Sequence, residues 1–590
     1  RRKVLVSQID FSQTKAQRGL RWVDHSMFFA DRYRTPLSVA FAFVATHNHF
    51  VLDRGGKVFN RSAPVIKLPA DATVADHLGL LGVLNSSVAC FWLKQVSHNK
   101  GGPGGGSSKD EKWRDFYEFT GTKLQEYPLP AVLPVGYGYI LDTLAQETAD
   151  LLPAAVLARL DDGAVPTREL LDNAHSRWLA VRAQMVAWQE ELDWHTYRLY
   201  GLLDEDLTYT SPPAVPPELA AATVADSADA TGTTDEDMGA PTVVTANSAA
   251  VIPPLELGQR VFEIVLVRAV EEGRTKTRWF DDFGGKPSTH ISTHLPSAYQ
   301  RLLEARLDVI ETNPAIKLLE QPDFKRSWDC ASWDAMESAA LTDFVLDRLE
   351  APDLWSDAQG PRVLSVAQLA DAVRHDGQVQ VALSLRFGVD ADRVKAIGAL
   401  VAGEAVPFTA ALRYTEAGMR KRAEWEAVWE LQRAEDAGAK VDIPVPPKYT
   451  NKDFRKPTYW TARGKLDVPK ERFISYPGCE VGADASLVVG WAGWDHAEQA
   501  RALARLLLAG VNADGWDVER VTPVLAGLVE LEPWLHQWHA EAVSGFPTSP
   551  AQAISGLLDQ RLAAAGLTRQ QVAAWRPPTP VRGGRRVKGS

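Results

Sequence analysis

Residues 205–253, which include SPPAVPPELAAATVADSADATGTTDEDMGAPTVV, are rich in Ala, Pro, Thr, Asp and Ser and poor in aromatics. Such a run buries too little apolar surface to offset the chain entropy lost on ordering, so it reads as a disordered linker. At 590 residues the chain is too long for one core, and usual domain sizes suggest about three to five units. The expected class is α+β multidomain: a mixed α/β module over 1–134, a helical spacer over 135–204, the linker, a helical domain over 254–350, and a mostly helical region with a basic tail over 351–590.

An apolar fraction of 45% and a charged fraction of 24% are those of a soluble globular protein. No apolar run approaches the ~18 residues of a membrane span, and no h-region follows Arg1–Arg2, so neither a membrane segment nor a signal peptide is expected. The chain opens in mid-pattern on Arg1, which suggests a segment of a longer protein. Cys90, Cys330 and Cys479 lack CxxC spacing, which argues for a reducing, cytoplasmic setting and against a zinc site. The net charge of −11 does not advertise nucleic-acid binding, but only a local basic strip has to meet phosphates.

In the first module, Leu37–Ala45 and Phe50–Leu52 read as buried strands. Asp53-Arg-Gly-Gly-Lys57 supplies turn chemistry toward Val58–Phe59. Val74 to Val96 has helical spacing and stops at the glycine-rich run His98–Ser108. Two long helices follow. In the second, Leu171, Ala174, Trp178, Val181, Met185, Trp188 and Leu192 form a heptad seam that ends at a glycine cap, Gly201. Further helices are expected in Val261–Val267, Tyr299–Ile310 and Ala335–Leu349, and over 365–375, 391–402, 416–436, 496–509, 520–541, 550–565 and 568–575.

Two basic regions are candidate nucleic-acid contacts. The glycine-rich loop and its flanks carry Lys94, His98, Asn99, Lys100, Lys109, Lys112 and Arg114 against Asp110 and Glu111. Bare backbone donors and mobile cations suit a sugar-phosphate chain, although solvated surface lysines have the same composition. Between 448 and 472, eight Lys or Arg, among them Lys452, Arg455, Lys456 and Arg463, face three acids and interleave with Tyr449, Phe454, Tyr459 and Trp460. Cations neutralise phosphates and rings stack on bases, whereas the plainer reading makes the rings core and the cations surface. Asn48, in Thr46-His-Asn-His49, can read a base edge or close a turn. His47 and His49 lack a third metal ligand nearby. The tail Arg582–Lys588 adds at most nonspecific phosphate attraction.

There is no GxxxxGK[ST] loop, G-x-S-x-G elbow, kinase set, Asn/Asp-Pro-Pro-aromatic tetrapeptide or strand–Gly-x-Gly turn for S-adenosylmethionine; Val488–Trp494 reads as packing. No catalytic residue is therefore expected in this chain.

Thr46-His-Asn-His-Phe-Val-Leu-Asp-Arg-Gly, Leu81–Leu93, Phe116-Tyr-Glu-Phe-Thr and Leu192–Leu202 resemble the recognition half of adenine-specific DNA methyltransferases of the restriction–modification type. Leu255–Ile264, Pro444–Tyr449, Leu466–Gly478 and Gly490–Asp495 are similar to the methyltransferases of type 2 BREX phage-defence systems. That resemblance implies an S-adenosylmethionine-dependent adenine-N6 methyltransferase with double-stranded DNA as substrate. Other BREX proteins become possible partners, and the methyl-transfer motifs fall outside this chain. The alternative is a non-catalytic scaffold of a defence complex, with Trp425 and Trp429 as anchors.

Overall fold

The computed structural model describes residues 9–10, 12–21, 35–55, 57–103, 111–161, 163–222, 252–281, 287–464, 470–542 and 548–578. It is mixed α+β, with many helices and several small sheets, as expected. The chain forms two compact units, one from Met27–Val156 and Glu169–Met336, the other from Arg1–Ser26, Leu157–Arg168 and Glu337–Ser590. Lys109, the segment 223–251 and the tail 582–588 lie outside the described residues.

In the first unit, Ser38–Phe41 is the centre of a three-stranded antiparallel sheet, paired with Phe50–Asp53 and Val65–Ile66. The turn chemistry at Asp53–Lys57 thus does not close a hairpin onto Val58–Phe59, which forms no strand. Val39, Phe41, Phe50 and Leu52 enter the core, whereas Val58 is exposed. Burial selected the partner strand, because apolar Leu37–Phe41 gains far more from covering than Val58–Phe59 does.

The helical region 74–96 is two helices, Val74–Leu84 and Ser87–Val96, bent by 69°. Thr73 and Asp76 form a capping box on the first, and Ser86 caps the second. Asn85 holds the corner: its amide donates to Phe50 O (3.0 Å) and its Oδ1 accepts from Phe50 N (3.1 Å). No single helix among the described residues is long and apolar enough to cross a membrane.

Val74–Leu84 packs closely on Val135–Asp150 because glycines face the contact. A Cβ at Gly138 would fall onto Leu78 O, and one at Gly82 would lie 3.0 Å from Pro134 O. Gly138→Ala is therefore expected to destabilise this unit by about 2 kcal/mol through overpacking. Urea unfolding checks this, and an unchanged midpoint would show that the helices separate freely.

The helix Arg168–Leu199 buries its seam residues Leu171, Ala174, Trp178, Val181, Trp188 and Leu192. From Val186 to Trp194 it is buried on every side, including Glu190, Glu191 and Asp193. Those carboxylates have partners. Lys325 Nζ donates to Asp193 Oδ2 (2.8 Å), Glu190 Oε2 (3.0 Å) and Glu320 Oε1 (3.0 Å), which uses all three ammonium hydrogens. Arg306 pairs with Glu191 at 2.7 Å and Arg260 with Glu263 at 2.6 Å, all four fully buried. Around this network lies an apolar cluster that includes Trp188, Trp194, Ile264, Leu303 and Ile316. Leu207 and Ile252, placed in the linker by composition, belong to the same cluster.

In the second unit the helices Val366–Ala372, Arg393–Glu404, Glu416–Asp436, His496–Asp514, Val518–Trp538, Pro550–Ala565 and Arg569–Ala573 follow the sequence pattern. The sequence pattern did not mark Gly377–Phe387 or the four-stranded mixed sheet. The strand order is Leu364–Ser365, Val488–Trp491, Phe473–Ser475 and Ala405–Pro407, the last pair parallel. Helices 496–514 and 518–538 pack together and on this sheet, joined through Gly515 in the left-handed conformation (φ +60°).

Candidate nucleic-acid interface

The structure breaks the first basic region into three kinds of position. His98–Gly101, expected in a loop, is the edge strand of a second antiparallel sheet ordered 44–45, 116–118, 98–101. Pairing with Phe116–Glu118 supplies the backbone partners that made this polar run extended, and a register shift falls between Asn99 and Gly101. His98, Asn99 and Lys100 are exposed there. Asn99 Nδ2 donates to Asp115 Oδ2 (2.9 Å), and Lys100 forms an ion pair with Glu118.

Lys112–Arg114 is a single 3-10 turn. Its central Trp113 packs edge-on to Trp279 (5.0 Å between ring centres), and Glu111 accepts from Arg278 N at 2.7 Å. That anchor leaves Lys112 exposed and Arg114 half-buried, 5.6 Å from the Trp113 ring. Sequence reading missed Arg61, an exposed turn residue set over Phe43 at 5.6 Å. The hydrogen bond from Lys100, joined by the charges of His98 and Arg61, holds the Glu118 carboxyl below its ordinary value. One acid is thus surrounded by three basic side chains. No local pattern links residues 61, 98, 100 and 118; the sheet pairing does.

Two other candidates turn inward. Lys94 is buried and donates to Asp323 O (2.5 Å), with its Nζ 5.2 Å from the Tyr117 ring, and burial lowers its pKa. Asn48 is buried and donates to Leu84 O (2.6 Å) and Ser86 O (3.0 Å), closing the helix corner. Both donors of its amide are therefore occupied inside the fold. His47 sits beside it, buried, with its ring nitrogens 3.1 Å from Thr46 Oγ1 and Pro322 O; burial, then Lys94, pushes its pKa well down. Among the described residues no three His, Cys, Asp or Glu side chains gather as metal ligands.

The second basic region belongs to the other unit. Lys452, Arg455 and Lys456 are exposed, Arg455 donating to Ala411 O (3.0 Å) and Lys456 lying 5.5 Å from the Tyr459 ring. Arg463 is ion-paired with buried Glu471. Phe454 and Tyr459 are core, packed with Tyr414, whereas Tyr449 and Trp460 are only half-buried.

The family described as a domain of unknown function (DUF7008) matches residues 233–587. The chain belongs to that family. The DUF7008 match covers the second unit from Glu337 to its last described residue and the stretch Ile252–Met336 of the first. The adenine-specific methyltransferase PglX of Streptomyces coelicolor is 45% identical over 558 residues, covering 92% of this chain and 42% of that protein. The resemblance read from the sequence is thereby borne out, and the chain spans less than half the length of this relative. No solved structure matches the chain.

Proposed function

We propose that the chain is the target-recognition and C-terminal portion of an S-adenosylmethionine-dependent adenine-N6 DNA methyltransferase that acts in bacteriophage exclusion in the cytoplasm. The 45% identity to PglX over nearly the whole chain carries this reading. In the first unit, Arg61, His98, Lys100, Lys112 and Arg114 are the residues assigned to the phosphate backbone, with Asn99 at the strand edge. Phosphate contacts of this kind set register, while base edges and flipping of the target adenine supply choice of site.

One glycine-bearing turn among the described residues does not fit the methyl donor. The strand–turn–helix that carries two glycines, Val488–Trp491 into His496–Asp514, has the Cβ positions of Gly490 and Gly493 taken by Trp494 and Trp491 rings. Methyl transfer is accordingly assigned to the part of such a protein that this chain does not span.

The test is duplex binding against salt, with and without S-adenosylmethionine. Four cations on phosphates give a slope near −3.6 in log K against log salt, so a fourfold rise in salt should weaken binding on the order of a hundredfold. Lys100→Glu with Lys112→Glu should flatten the slope by about 2. Unchanged affinity in that variant would remove the edge strand from the interface. A second reading, a protein-docking scaffold, draws on exposed Trp538 and Trp429 and predicts partner capture with little salt dependence.

A further inference from the structure

The second unit contains a cavity of about 900 Å³, within the usual range of small-molecule sites, which no activity discussed above uses. Its walls join two chemistries. Rings come from three stretches: Trp425 and Trp429 of the helix 416–436, Tyr449 and Trp460 of the second basic region, and Trp534 of the helix 518–538. Trp425 and Tyr449 lie parallel at 6.4 Å, and Trp429 meets Trp534 edge-on at 5.5 Å. The Trp425 ring is fixed by its Nε1, which donates to Pro447 O (2.8 Å).

The charged lining sets Arg413, Arg422, Arg433, Lys448 and Arg463 against Glu426, Glu430 and Glu530. Arg413 and Arg422 converge on one carboxylate, Glu530, at 3.4 and 3.0 Å, and the same carboxylate accepts from Ala410 N at 2.9 Å. Arg463 and Lys448 also line the space, Lys448 exposed. Arg413 Nε and Arg463 Nε are buried with no hydrogen-bond partner. Burial, and then the neighbouring Arg413, push the Arg463 guanidinium down to about 9. Buried guanidinium donors are costly when unmatched, so the cavity favours an anion. Its flat aromatic walls favour a planar group beside that anion.

We propose that this cavity binds a nucleotide, the base against the Trp429, Trp534 and Tyr449 rings and the phosphate on Arg463 and Lys448. The ligand is either a free mononucleotide or one nucleotide of a single strand, since both present a π-face next to a phosphate. The assignment concerns the second unit alone and stands apart from the DNA reading of the first.

Quenching of tryptophan fluorescence in the full chain tests it, with AMP, adenosine, inorganic phosphate and a ten-residue deoxyadenosine strand as probes. AMP should bind at least about tenfold more tightly than adenosine or phosphate alone. Trp429→Ala and Lys448→Glu should each weaken AMP by about tenfold, and Lys448→Glu, at a solvent-exposed residue, should leave the melting temperature unchanged. If the strand competes with AMP, is bound more tightly and shows the same sensitivity to both variants, the source is single-stranded nucleic acid. If AMP binds and the strand does not, the source is a free nucleotide. Absence of AMP and strand binding overturns the proposal, as does AMP binding that neither variant weakens.

Discussion

Lys325→Met is expected to destabilise the first unit by about 3–5 kcal/mol, because it strands buried carboxylates without their cation. Lys325 is fully buried, and its three ammonium bonds reach Glu190, Asp193 and Glu320. Burial works against its charge, and Asp193, then Glu190 and Glu320, outweigh that and hold its pKa above the ordinary lysine value. Methionine matches the stem in volume, so the loss isolates the ammonium and not the packing. Since a domain's whole stability is about 5–15 kcal/mol, a large fraction disappears with one side chain. Denaturant unfolding of this variant against Lys440→Met, at an exposed lysine, measures the difference. Equal midpoints for the two would mean that the network carries no net stability.

The second large effect is the opposite in sign and depends on pH. Three carboxylates face the one ammonium of Lys325, with Arg260 a further cation acting on Glu190, and Glu190 Oε1 is buried with no hydrogen-bond partner. Burial, only partly offset by Lys325, pushes the Glu190 carboxyl from 4.5 up to about 7. A raised carboxyl pKa means the folded state binds the proton more tightly than the unfolded chain. The resulting stability is fully present below pH 4.5 and is lost as pH rises through about 7. Glutamine is neutral throughout and still accepts from Lys325 through its carbonyl oxygen. The stability of Glu190→Gln relative to the natural chain should therefore rise by about 3 kcal/mol between pH 4.5 and 8. The variant should be the more stable form at pH 8. Urea titrations at several pH values check this; a constant difference would show that Glu190 titrates in the folded state as it does in the unfolded chain.

Both effects centre on residues that no pattern singled out. In the sequence, Glu190, Glu191 and Asp193 sit on a helix whose seam was clear, and acids beside a seam ordinarily face water. Here neighbouring segments close over that helix, and Lys325, 132 residues from Asp193, supplies the charge that lets the acids go inside. The candidate interface divides in the same way. Lys112 and Arg114 kept the exposure or half-exposure expected of a basic loop, whereas Lys94, equally basic on paper, is turned into the module by Asp323. Arg61 carried no signal at all until the fold set it over Phe43, where its charge acts on Glu118.

What the sequence determined by itself was local. Helices in the second unit begin at side-chain caps such as Asp495 with Glu498 and Ser549 with Gln552 and end at Gly515 and Gly566, because orphan N–H groups and left-handed ends are satisfied within a few residues. The family words were equally legible, being strings of neighbouring residues. Only the tertiary structure decided which strands pair, as with Ala405–Pro407 beside Phe473–Ser475, and which charges are buried. Strand pairing and charge burial depend on groups far apart in the chain, and their energies arise only when those groups meet away from water.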